Sequence, residues 1–577
     1  MNSHFVRNVF ALISVLLLNV TALGDDPKAE PWRKPDPAAL KRWQDMRFGM
    51  FIHWGPVSLT HQEIGWSRGA QTPIKEYDNL YKKFNPVKFN ADEWVRIAKA
   101  AGMKYMILTT KHHDGFCMFA TKETDYNIMN SPFGRDVTKE LADACRKQGI
   151  AFGTYYSVCD WHHPDFPFTS PGGSVRREKS DLDAYNRYLL AQIRELITNC
   201  GPLLTIWNDV PQAFQGRGVQ TIKMVRELQP DILVNNRTGD GGDYDTPEQR
   251  IGGFNLDRPW ESCMTISAHN QWAWGGPKDG VKPLVDCLLM LVRGAGGNGN
   301  VLLNVGPTPE GVIEPIQVER LKEIGAWLAK YGESIYGTRG GPYKPTKSLA
   351  STRKNNTVYI HITGWPEETV VLPPLPARIV KTRALTGGRA SVKQSEAGIE
   401  ISVPKADRQE IDTIVALDLD KPAIEIAPIA VNPVGESLTT GKRANASNVY
   451  QNNAGHDAAK AIDDDEDTRW ATDADVGPCW LEVDLGKPRT FDRALILECI
   501  DFGVRVKAFE LQYQDGKAWK TFFHGSGIGK KLEAKFEPVT ARVVRLNITA
   551  GHGGPTITEF QLFPPAQKKV GHRGQTD

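Results

Sequence analysis

The sequence has few cysteines for its length, eight in 577 residues. No two of them form a Cys-x-x-Cys pair, which argues against a zinc site, and so few thiols in so long a chain do not make a disulfide framework. We therefore expect buried free thiols. An excess of charge of one sign is also missing, because the formal net charge is only +2. Nothing in the composition therefore predicts a nucleic-acid partner.

Long hydrophobic runs are missing from the sequence after the first 24 residues. One such run lies at 9–18, behind Arg7, and the small residues Ala22 and Gly24 follow it. This order is typical of a secretory signal peptide, and the run is too short to span a bilayer unaided. We predict that residues 1–24 are removed, and that the mature protein is secreted or periplasmic and has no membrane partner.

Short apolar runs alternate with helical spacings through about residue 336, a pattern typical of parallel strands joined by helices. We therefore predict a (β/α)8-like barrel. Beyond residue 340, short alternating stretches separated by turn residues predict β-sandwiches. The predicted organisation is a signal peptide at 1–24, the barrel at 25–336, a small β-sandwich at 337–425, a linker at 426–434, a second β-sandwich module at 435–565 and a disordered tail at 566–577.

Side chains able to do chemistry follow one predicted strand after another. Asp209 comes two positions after the end of the apolar run LLTIW at 203–207, and α/β barrels place catalytic groups at the carboxyl ends of their strands. The alternatives are a helix N-cap for Asp209 and simple loop hydrogen bonds for the others. Their shared position favours a pocket. The candidates are His53, His112, His113, Tyr155, Tyr156, Asp209 and Arg237.

An acidic cluster at 461–470 marks the C-terminal module. Hard cations take carboxylate oxygens, so Asp463, Asp465 and Asp467 are candidate ligands of a structural Ca²⁺. A solvated acidic turn is an equally good interpretation, because the spacing is not that of an EF-hand. No cofactor is expected for catalysis.

The chain up to residue 335 contains a series of motifs in a fixed order. They are RFGMFIHWG (47–55), KHHDGF (111–116), GTYYS (153–157), IWND (206–209), NNR (235–237), GDYDTPEQ (242–249), WESCMTI (260–266) and GNVLLNVGPTPEG (299–311). Together these motifs resemble glycoside hydrolase family 29, the α-L-fucosidases. The C-terminal module, with its acidic cluster, resembles F5/8 type C, or discoidin-like, modules, which include carbohydrate-binding modules.

The resemblance implies a retaining mechanism on an α-L-fucosyl residue, with Asp209 as nucleophile. Retaining hydrolysis needs a second carboxyl about 5–5.5 Å from the first. The acid/base position of the family is variable and hard to align. The motif around GDYDTPE favours Glu248, and Glu261 after Trp260 is the runner-up.

The resemblance also implies a set of sugar contacts. Many members carry a Glu directly before the tryptophan at position 66, whereas Gly65 stands here and Glu63 is nearby. Of the two tyrosines in GTYYS, Tyr156 is chosen over Tyr155. The implied contacts are His53, Trp66, His112, His113, Tyr156, Trp207, Arg237, Trp272 and Trp274.

The sequence therefore predicts a secreted, exo-acting α-L-fucosidase whose partner is a fucosylated glycan or oligosaccharide. Two alternatives remain open: a catalytically silent glycan-binding protein on the same fold, and a hydrolase of a related sugar such as α-L-galactose. Whether the chain forms an oligomer, which fucosyl linkage it prefers and whether it accepts sulfated fucans are left open by the sequence.

Overall fold

The structure is a computed structural model that describes residues 31–170, 175–365, 368–431, 437–463, 468–474 and 477–565. The predicted signal peptide, the predicted tail, and Asp465 and Asp467 lie outside the described residues. The chain divides into two compact units, one with the barrel and most of the following β domain, and one with the C-terminal module. In the described part of the chain, no helix has the length and apolar character needed to cross a membrane.

Seven short parallel strands form the sheet of the barrel, in the order β5-β4-β3-β2-β1-β7-β6. Nearly all of their residues are buried, which explains why each reads as a continuous apolar run and not as an alternation. The strands are β1 (Phe48–Ile52), β2 (Tyr105–Lys111), β3 (Ala151–Ser157), β4 (Thr205–Asp209), β5 (Leu233–Val234), β6 (Glu261–Thr265) and β7 (Asn300–Val305).

Helices connect these strands, and several begin at a capping side chain that the sequence supplies. Asn90 accepts a hydrogen bond from the backbone N–H of Glu93, and Asp136 accepts one from that of Lys139, which satisfies otherwise unpaired donors of the first turn. The helices are α1 (Pro37–Met46), α2 (Ile74–Tyr77), α3 (Ala91–Ala100), α4 (Val137–Gln148), α5 (Leu182–Cys200), α6 (Gly218–Leu228), α7 (Leu284–Gly296) and α8 (Pro315–Tyr331).

An extended stretch, residues 243–249, lies between the two edge strands β5 and β6; we call it the closing segment. It is bridged in parallel to Asn235, just past β5, through Tyr244, and to Cys263 of β6 through Glu248. Eight parallel segments therefore complete the circuit, and the predicted (β/α)8-like barrel is confirmed. No helix separates β5, the closing segment and β6, all of which are described.

The β domain after the barrel carries two antiparallel sheets. One has the order β12-β15-β10-β9-β8, and β11, β14 and β13 form the other. The strands are β8 (Arg339–Gly340), β9 (Leu349–Lys354), β10 (Thr357–Ile362), β11 (Thr369–Leu372), β12 (Ile379–Ala384), β13 (Ser391–Ser395), β14 (Gly398–Ser402) and β15 (Thr413–Leu419).

The C-terminal module is an antiparallel β structure with its own core, in which Trp470, Phe491, Phe509 and Phe560 are fully buried or nearly so. Its sheet has the order β17-β22-β18-β21-β19-β20, and β16 pairs with β18. The strands are β16 (Arg443–Ala446), β17 (Trp470–Ala471), β18 (Cys479–Glu498), β19 (Val506–Asp515), β20 (Ala518–Gly525), β21 (Leu532–Gly551) and β22 (Thr556–Phe563).

Candidate active site

A pocket opens at the carboxyl ends of the barrel strands, where the sequence places its reactive side chains. Aromatic rings form most of its wall, and two carboxylates, one guanidinium and three imidazoles supply its polar groups. The lining residues are Phe51, His53, Trp66, His112, His113, Tyr155, Trp207, Asp209, Val210, Arg237, Glu248, Cys263 and Trp272.

Asp209 is the last residue of β4, and its carboxylate is held at both oxygens. Tyr155 donates its hydroxyl to Oδ2 over 2.8 Å, and Arg237 donates Nη1–H to Oδ1 over 2.8 Å. Burial is the largest single influence on this group and opposes its ionisation. The charge of Arg237 and the hydrogen bonds from Arg237 and Tyr155 act together in the opposite direction, and the pKa of Asp209 lies below its ordinary value. Asp209 is therefore an ionised carboxylate in a fixed orientation.

The backbone turns sharply directly after Asp209. Val210 has a φ of 43°, a left-handed conformation that is rare for a β-branched residue. In this conformation the Val210 N–H donates to Oδ1 of Asp209 over 2.9 Å. Backbone strain of this kind clusters at functional sites, and here it supplies a third hydrogen bond to the carboxylate.

Arg237 connects Asp209 to Glu248, which lies near the end of the closing segment. The same nitrogen, Nη1, donates to Asp209 over 2.8 Å and to Oε2 of Glu248 over 2.9 Å. Those two carboxylate oxygens can therefore be no farther apart than the two lengths laid end to end. That limit lies near the separation of about 5–5.5 Å found in retaining glycosidases, and well short of the roughly 6.5–9.5 Å of inverting ones.

Three histidines, His53, His112 and His113, lie side by side in the pocket wall, and all are buried. Burial lowers the pKa of His53 to about 3 and that of His113 to about 4. Burial also lowers the pKa of His112 far below its ordinary value. All three imidazoles are therefore neutral at neutral pH and act through hydrogen bonds, not through charge.

Glu261 does not line the pocket. It is fully buried on β6, where its carboxyl accepts hydrogen bonds from Nε1–H of Trp207, over 3.1 Å, and from the hydroxyl of Tyr105. Burial raises its pKa to about 7. Its contacts make it a support beneath Trp207, whereas Glu248 faces the pocket with a side chain that is 42% exposed.

Two profiles of known protein families match the sequence of this chain. A sequence profile described as Alpha-L-fucosidase matches residues 16–333, more than half of the chain. The chain belongs to the α-L-fucosidase family. A second profile, F5/8 type C domain, matches residues 443–560. Both families predicted from the motifs are thereby confirmed.

Individual fucosidases are similar to this chain over about two thirds of its length. The human tissue α-L-fucosidase is 28% identical over 441 residues, which cover 68% of this chain and 92% of the relative. α-L-Fucosidase isoenzyme 1 from Paenibacillus thiaminolyticus has 32% identity and a TM-score of 0.62, and covers 68% of this chain and 100% of its own. A covalent intermediate trapped in a GH29 α-L-fucosidase from Bacteroides thetaiotaomicron has 27% identity and a TM-score of 0.60, and covers 67% and 97%.

Most of the family positions predicted from the sequence meet in the pocket, but the choice of Tyr156 was wrong. The two tyrosines are adjacent on β3, so their side chains point to opposite faces of the sheet. Tyr155 faces the pocket and binds Asp209. Tyr156 points away from the pocket, and its hydroxyl donates to Gln192 of α5 over 2.7 Å. The predicted residues that do line the pocket are His53, Trp66, His112, His113, Trp207, Asp209, Arg237, Glu248 and Trp272.

Trp274 is also outside the pocket, contrary to the prediction. Its ring packs edge-on against His61, with centroids 4.7 Å apart, whereas the Trp272 ring lies 4.8 Å from His53. Glu63 does not line the pocket either. Its carboxylate accepts the backbone N–H groups of Trp272 and Ala273 over 2.7 and 3.1 Å, and so holds the loop that carries Trp272.

The sequence reasoning missed three pocket residues, Phe51, Val210 and Cys263. Two of them were accessible to a simple rule, because residues two apart in a strand share a face. Phe51 lies two positions before His53, and Cys263 lies two positions after Glu261. Val210 carries no such signal, because it lies just past the end of β4 and its φ of 43° is not a strand conformation.

The remaining predictions concern the thiols and the calcium site. All eight cysteines are free and buried, as expected. Asp463 accepts the hydroxyl hydrogen of Thr468 over 2.8 Å. In the described part of the chain, no group of three His, Cys, Asp or Glu side chains is arranged to hold a metal ion. Since Asp465 and Asp467 lie outside that part, the calcium site stays a prediction.

Proposed function

We propose that this protein is an exo-acting α-L-fucosidase that releases terminal α-L-fucosyl residues with retention of configuration. The observation that carries the proposal is the single Arg237 nitrogen that binds Asp209 and Glu248 at once. The two hydrogen bonds limit how far apart these carboxylate oxygens can be, and a limit near the spacing of retaining glycosidases supports a double displacement.

In the first step, an oxygen of Asp209 attacks the anomeric carbon of the bound fucoside. The bond to the leaving oxygen breaks as Glu248 gives that oxygen its proton. The product is a β-fucosyl ester of Asp209 and a free alcohol. Tyr155 and Arg237 keep the attacking carboxylate ionised and oriented, which removes the need to reorganise it during the reaction.

In the second step, a water molecule takes the place of the departed alcohol. Glu248, now a carboxylate, accepts a proton from the water as its oxygen attacks the anomeric carbon. The ester bond breaks, Asp209 recovers its negative charge, and α-L-fucose leaves. Arg237 serves both steps, because its Nη1 reaches both carboxyl groups and can stabilise whichever of the two is charged.

The substrate is proposed to be a fucosylated glycan or oligosaccharide outside the cytoplasm. Similarity to fucosidases supports the sugar, and the signal-like N-terminus supports a secreted or periplasmic location. The pocket lining combines hydrogen-bonding groups, such as His53 and His113, with apolar rings, such as Phe51 and Trp272. A sugar that carries both hydroxyl groups and an apolar methyl group, as a 6-deoxy sugar does, matches this mixed lining.

The test of the nucleophile is the Asp209→Ala variant on an activated aryl α-L-fucoside. Hydrolysis should be nearly lost, and added azide should restore turnover and give the β-fucosyl azide, because azide enters from the face that the carboxylate leaves empty. Wild-type-like hydrolysis in the variant would remove Asp209 from the role.

The two acid/base candidates are separated by Glu248→Ala and Glu261→Gln. Glu248→Ala should slow substrates with poor leaving groups more than activated ones, and azide should rescue it with formation of the α-fucosyl azide. Glu261→Gln should show no azide rescue. The reverse pattern would transfer the role to Glu261.

Two further comparisons address the alternative functions. Release of aryl alcohol above a boiled control excludes a silent binding protein. Since an apolar wall rejects an added hydroxyl only weakly, kcat/KM for the α-L-galactoside must be measured beside the fucoside. We expect the fucoside to be the better substrate, because the added hydroxyl would face Phe51 and Trp272.

A further inference from the structure

The hydrogen bonds behind His113 determine which of its ring nitrogens carries the proton. Nδ1 lies 2.7 Å from Oγ of Ser157, and that hydroxyl lies 2.7 Å from the backbone carbonyl of Cys159. A carbonyl can only accept, so the single hydroxyl hydrogen goes to Cys159. Ser157 is then left to accept from His113, which places the imidazole hydrogen on Nδ1.

The same logic applies to His53 through Asn304. The side-chain amide of Asn304 donates Nδ2–H to the backbone carbonyl of Trp272 over 2.7 Å. Its Oδ1 therefore faces Nδ1 of His53, 2.6 Å away. An amide oxygen can only accept, so the hydrogen of His53 is also on Nδ1.

Both histidines line the pocket, and with the hydrogen on Nδ1 the second ring nitrogen, Nε2, carries none in either residue. In His113 this nitrogen lies 3.8 Å from Oδ2 of Asp209, too far for a hydrogen bond and on the side of the reacting carboxylate. Burial keeps the pKa of both rings far enough down that neither gains a second hydrogen at neutral pH. Two neighbouring positions of the pocket can therefore accept a hydrogen bond but cannot donate one.

The positively charged guanidinium of Arg237 already has hydrogen-bond partners. Among the described residues that line the pocket, Arg237 is the one cation. Besides the two carboxylates, it donates Nε–H to the hydroxyl of Thr246 and Nη2–H to the carbonyl of Thr246, each over 2.8 Å. An added anion would find the carboxylates of Asp209 and Glu248 and no uncommitted positive group among these residues.

We propose that the pocket accepts only fucosyl residues whose hydroxyl groups facing His53 and His113 are free, and that it rejects fucose carrying a sulfate or a methyl group there. Ser157 and Asn304 are the positioning residues that enforce this choice. The inference rests on the proposed fucosidase function and narrows its substrate class to unsubstituted terminal fucose. A free hydroxyl gives its hydrogen to Nε2; an ether or a sulfate ester has none to give.

The test uses the wild-type full-length protein and seven aryl α-L-fucosides: the parent and its 2-, 3- and 4-mono-O-methyl and mono-O-sulfate derivatives. For two of the three ring positions, both derivatives should lose about a hundredfold or more in kcat/KM, because a site built to bind a hydroxyl strongly rejects an analogue without one. The proposal would be overturned if kcat/KM fell in this way at fewer than two ring positions. It would also be overturned if the sulfate derivatives lost kcat/KM while the methyl derivatives kept it.

Failure of the proposed function is distinguishable from failure of this inference. If the parent fucoside is not hydrolysed, the proposed function fails, and the same derivatives are compared as ligands by their shift of the melting temperature. If the parent fucoside raises the melting temperature and its methyl ethers at two ring positions do not, the inference that the pocket requires free hydroxyl groups is still supported. If the parent and all its derivatives raise the melting temperature equally, the inference is wrong.

The role of Ser157 is tested with Ser157→Ala and Ser157→Thr. Without the hydroxyl, His113 can move its hydrogen to Nε2 and donate to an ether oxygen. Ser157→Ala should therefore raise KM for the parent more than it changes kcat, and should reduce discrimination against the methyl ether at the His113-facing position by about tenfold. Ser157→Thr keeps a hydroxyl and should restore discrimination.

A matched control is Ser334→Ala, a buried serine that likewise donates to a backbone carbonyl, that of Tyr331, over 2.7 Å, but whose hydroxyl does not bind a histidine of the pocket. It should leave KM and discrimination unchanged. If Ser157→Ala discriminates between the methyl ethers as well as Ser334→Ala does, Ser157 does not fix the histidine and the positioning role is wrong.

Discussion

At the residue scale, the structure places Tyr155 in the pocket where the sequence predicted Tyr156, and the Tyr155 hydroxyl binds Asp209. Tyr155→Phe should lower kcat by roughly tenfold to a hundredfold, because a hydrogen bond to a charged group is worth about 1.5–3 kcal/mol. The neighbouring variant Tyr156→Phe removes an equally buried hydroxyl that binds only Gln192, and its kcat should stay near that of the wild type. Initial rates on an aryl fucoside decide between them, and equal losses in the two variants would contradict the assignment.

Glu261 makes stability depend on pH through a single buried carboxyl. Its pKa is about 7 in the folded protein against an ordinary value of 4.5. Between those pH values the folded protein keeps a proton that the unfolded chain releases, so this group lowers the free energy of unfolding as the pH rises. Below 4.5 both states hold the proton, and the penalty is absent.

Glu261→Gln cannot release that proton, so the pH dependence due to this residue should vanish. Relative to the wild type, the variant should gain up to about 3 kcal/mol in free energy of unfolding between pH 4.5 and pH 8. Melting temperatures of both proteins measured across this range test the point. Parallel curves would show that Glu261 releases its proton at the same pH in the folded and the unfolded protein, and would contradict the raised pKa.

At the element scale, the closing segment holds two nitrogens of the Arg237 guanidinium, Nε and Nη1. Thr246 and Glu248 are two apart and share a face of the segment, where each binds the guanidinium. Thr246→Val removes the oxygen that accepts Nε–H and should lower kcat/KM by about tenfold. Thr238→Val is the control, because that hydroxyl binds the carbonyl of Gly241 and does not touch Arg237. Equal kinetics in the two variants would contradict the role of Thr246.

Elements of the barrel with strong local patterns could be predicted from the sequence. The run LLTIWND reads as a buried strand because parallel strands covered on both faces are apolar throughout, and Asp209 follows from its place at the strand end. The closing segment could not be predicted in this way. Its sequence DYDTPEQ is polar and turn-prone, and it is extended only because β5 and β6 on either side offer it backbone partners.

The site shows the same division between local and distant causes. His53, His112 and Asp209 were found because motifs place them at strand ends. The choice between Tyr155 and Tyr156 needed the phase of β3, since a shift of one residue exchanges the two faces. Ser157 and Asn304 act from behind the histidines, and no sequence spacing joins Asn304 to His53, which lies 251 positions away.

At the scale of the whole molecule, the two compact units predict a division of labour. All residues of the pocket belong to the first unit, and the C-terminal module has its own buried core. A chain that ends at residue 430 should therefore hydrolyse a small aryl fucoside within about twofold of the full-length rate. Its retention on a column of polymeric fucosylated glycan should be weaker. A folded truncated enzyme with little turnover would contradict this division.

The calcium prediction is tested on the same scale. The sequence has five acidic residues in succession at 463–467, and a bound hard cation would relieve the mutual repulsion that such a run of carboxylates predicts. Chelation should therefore lower the melting temperature of the transition that is missing from the truncated chain. Restoration by Ca²⁺ but not by Mg²⁺ would identify the ion. An unchanged transition on chelation would contradict the site.

The way the closing segment is attached has a consequence for the history of this active site. Isolated bridges hold it between its neighbours, whereas Asp209 belongs to β4, which is hydrogen-bonded in a ladder to β3. An insertion just before or after residues 243–249 falls in irregular chain, which absorbs changes of length without displacing β5 or β6. Descendants of a common barrel can therefore relocate their proton donor along the chain while the nucleophile keeps its place. Sequence divergence within such a lineage should be concentrated around Glu248.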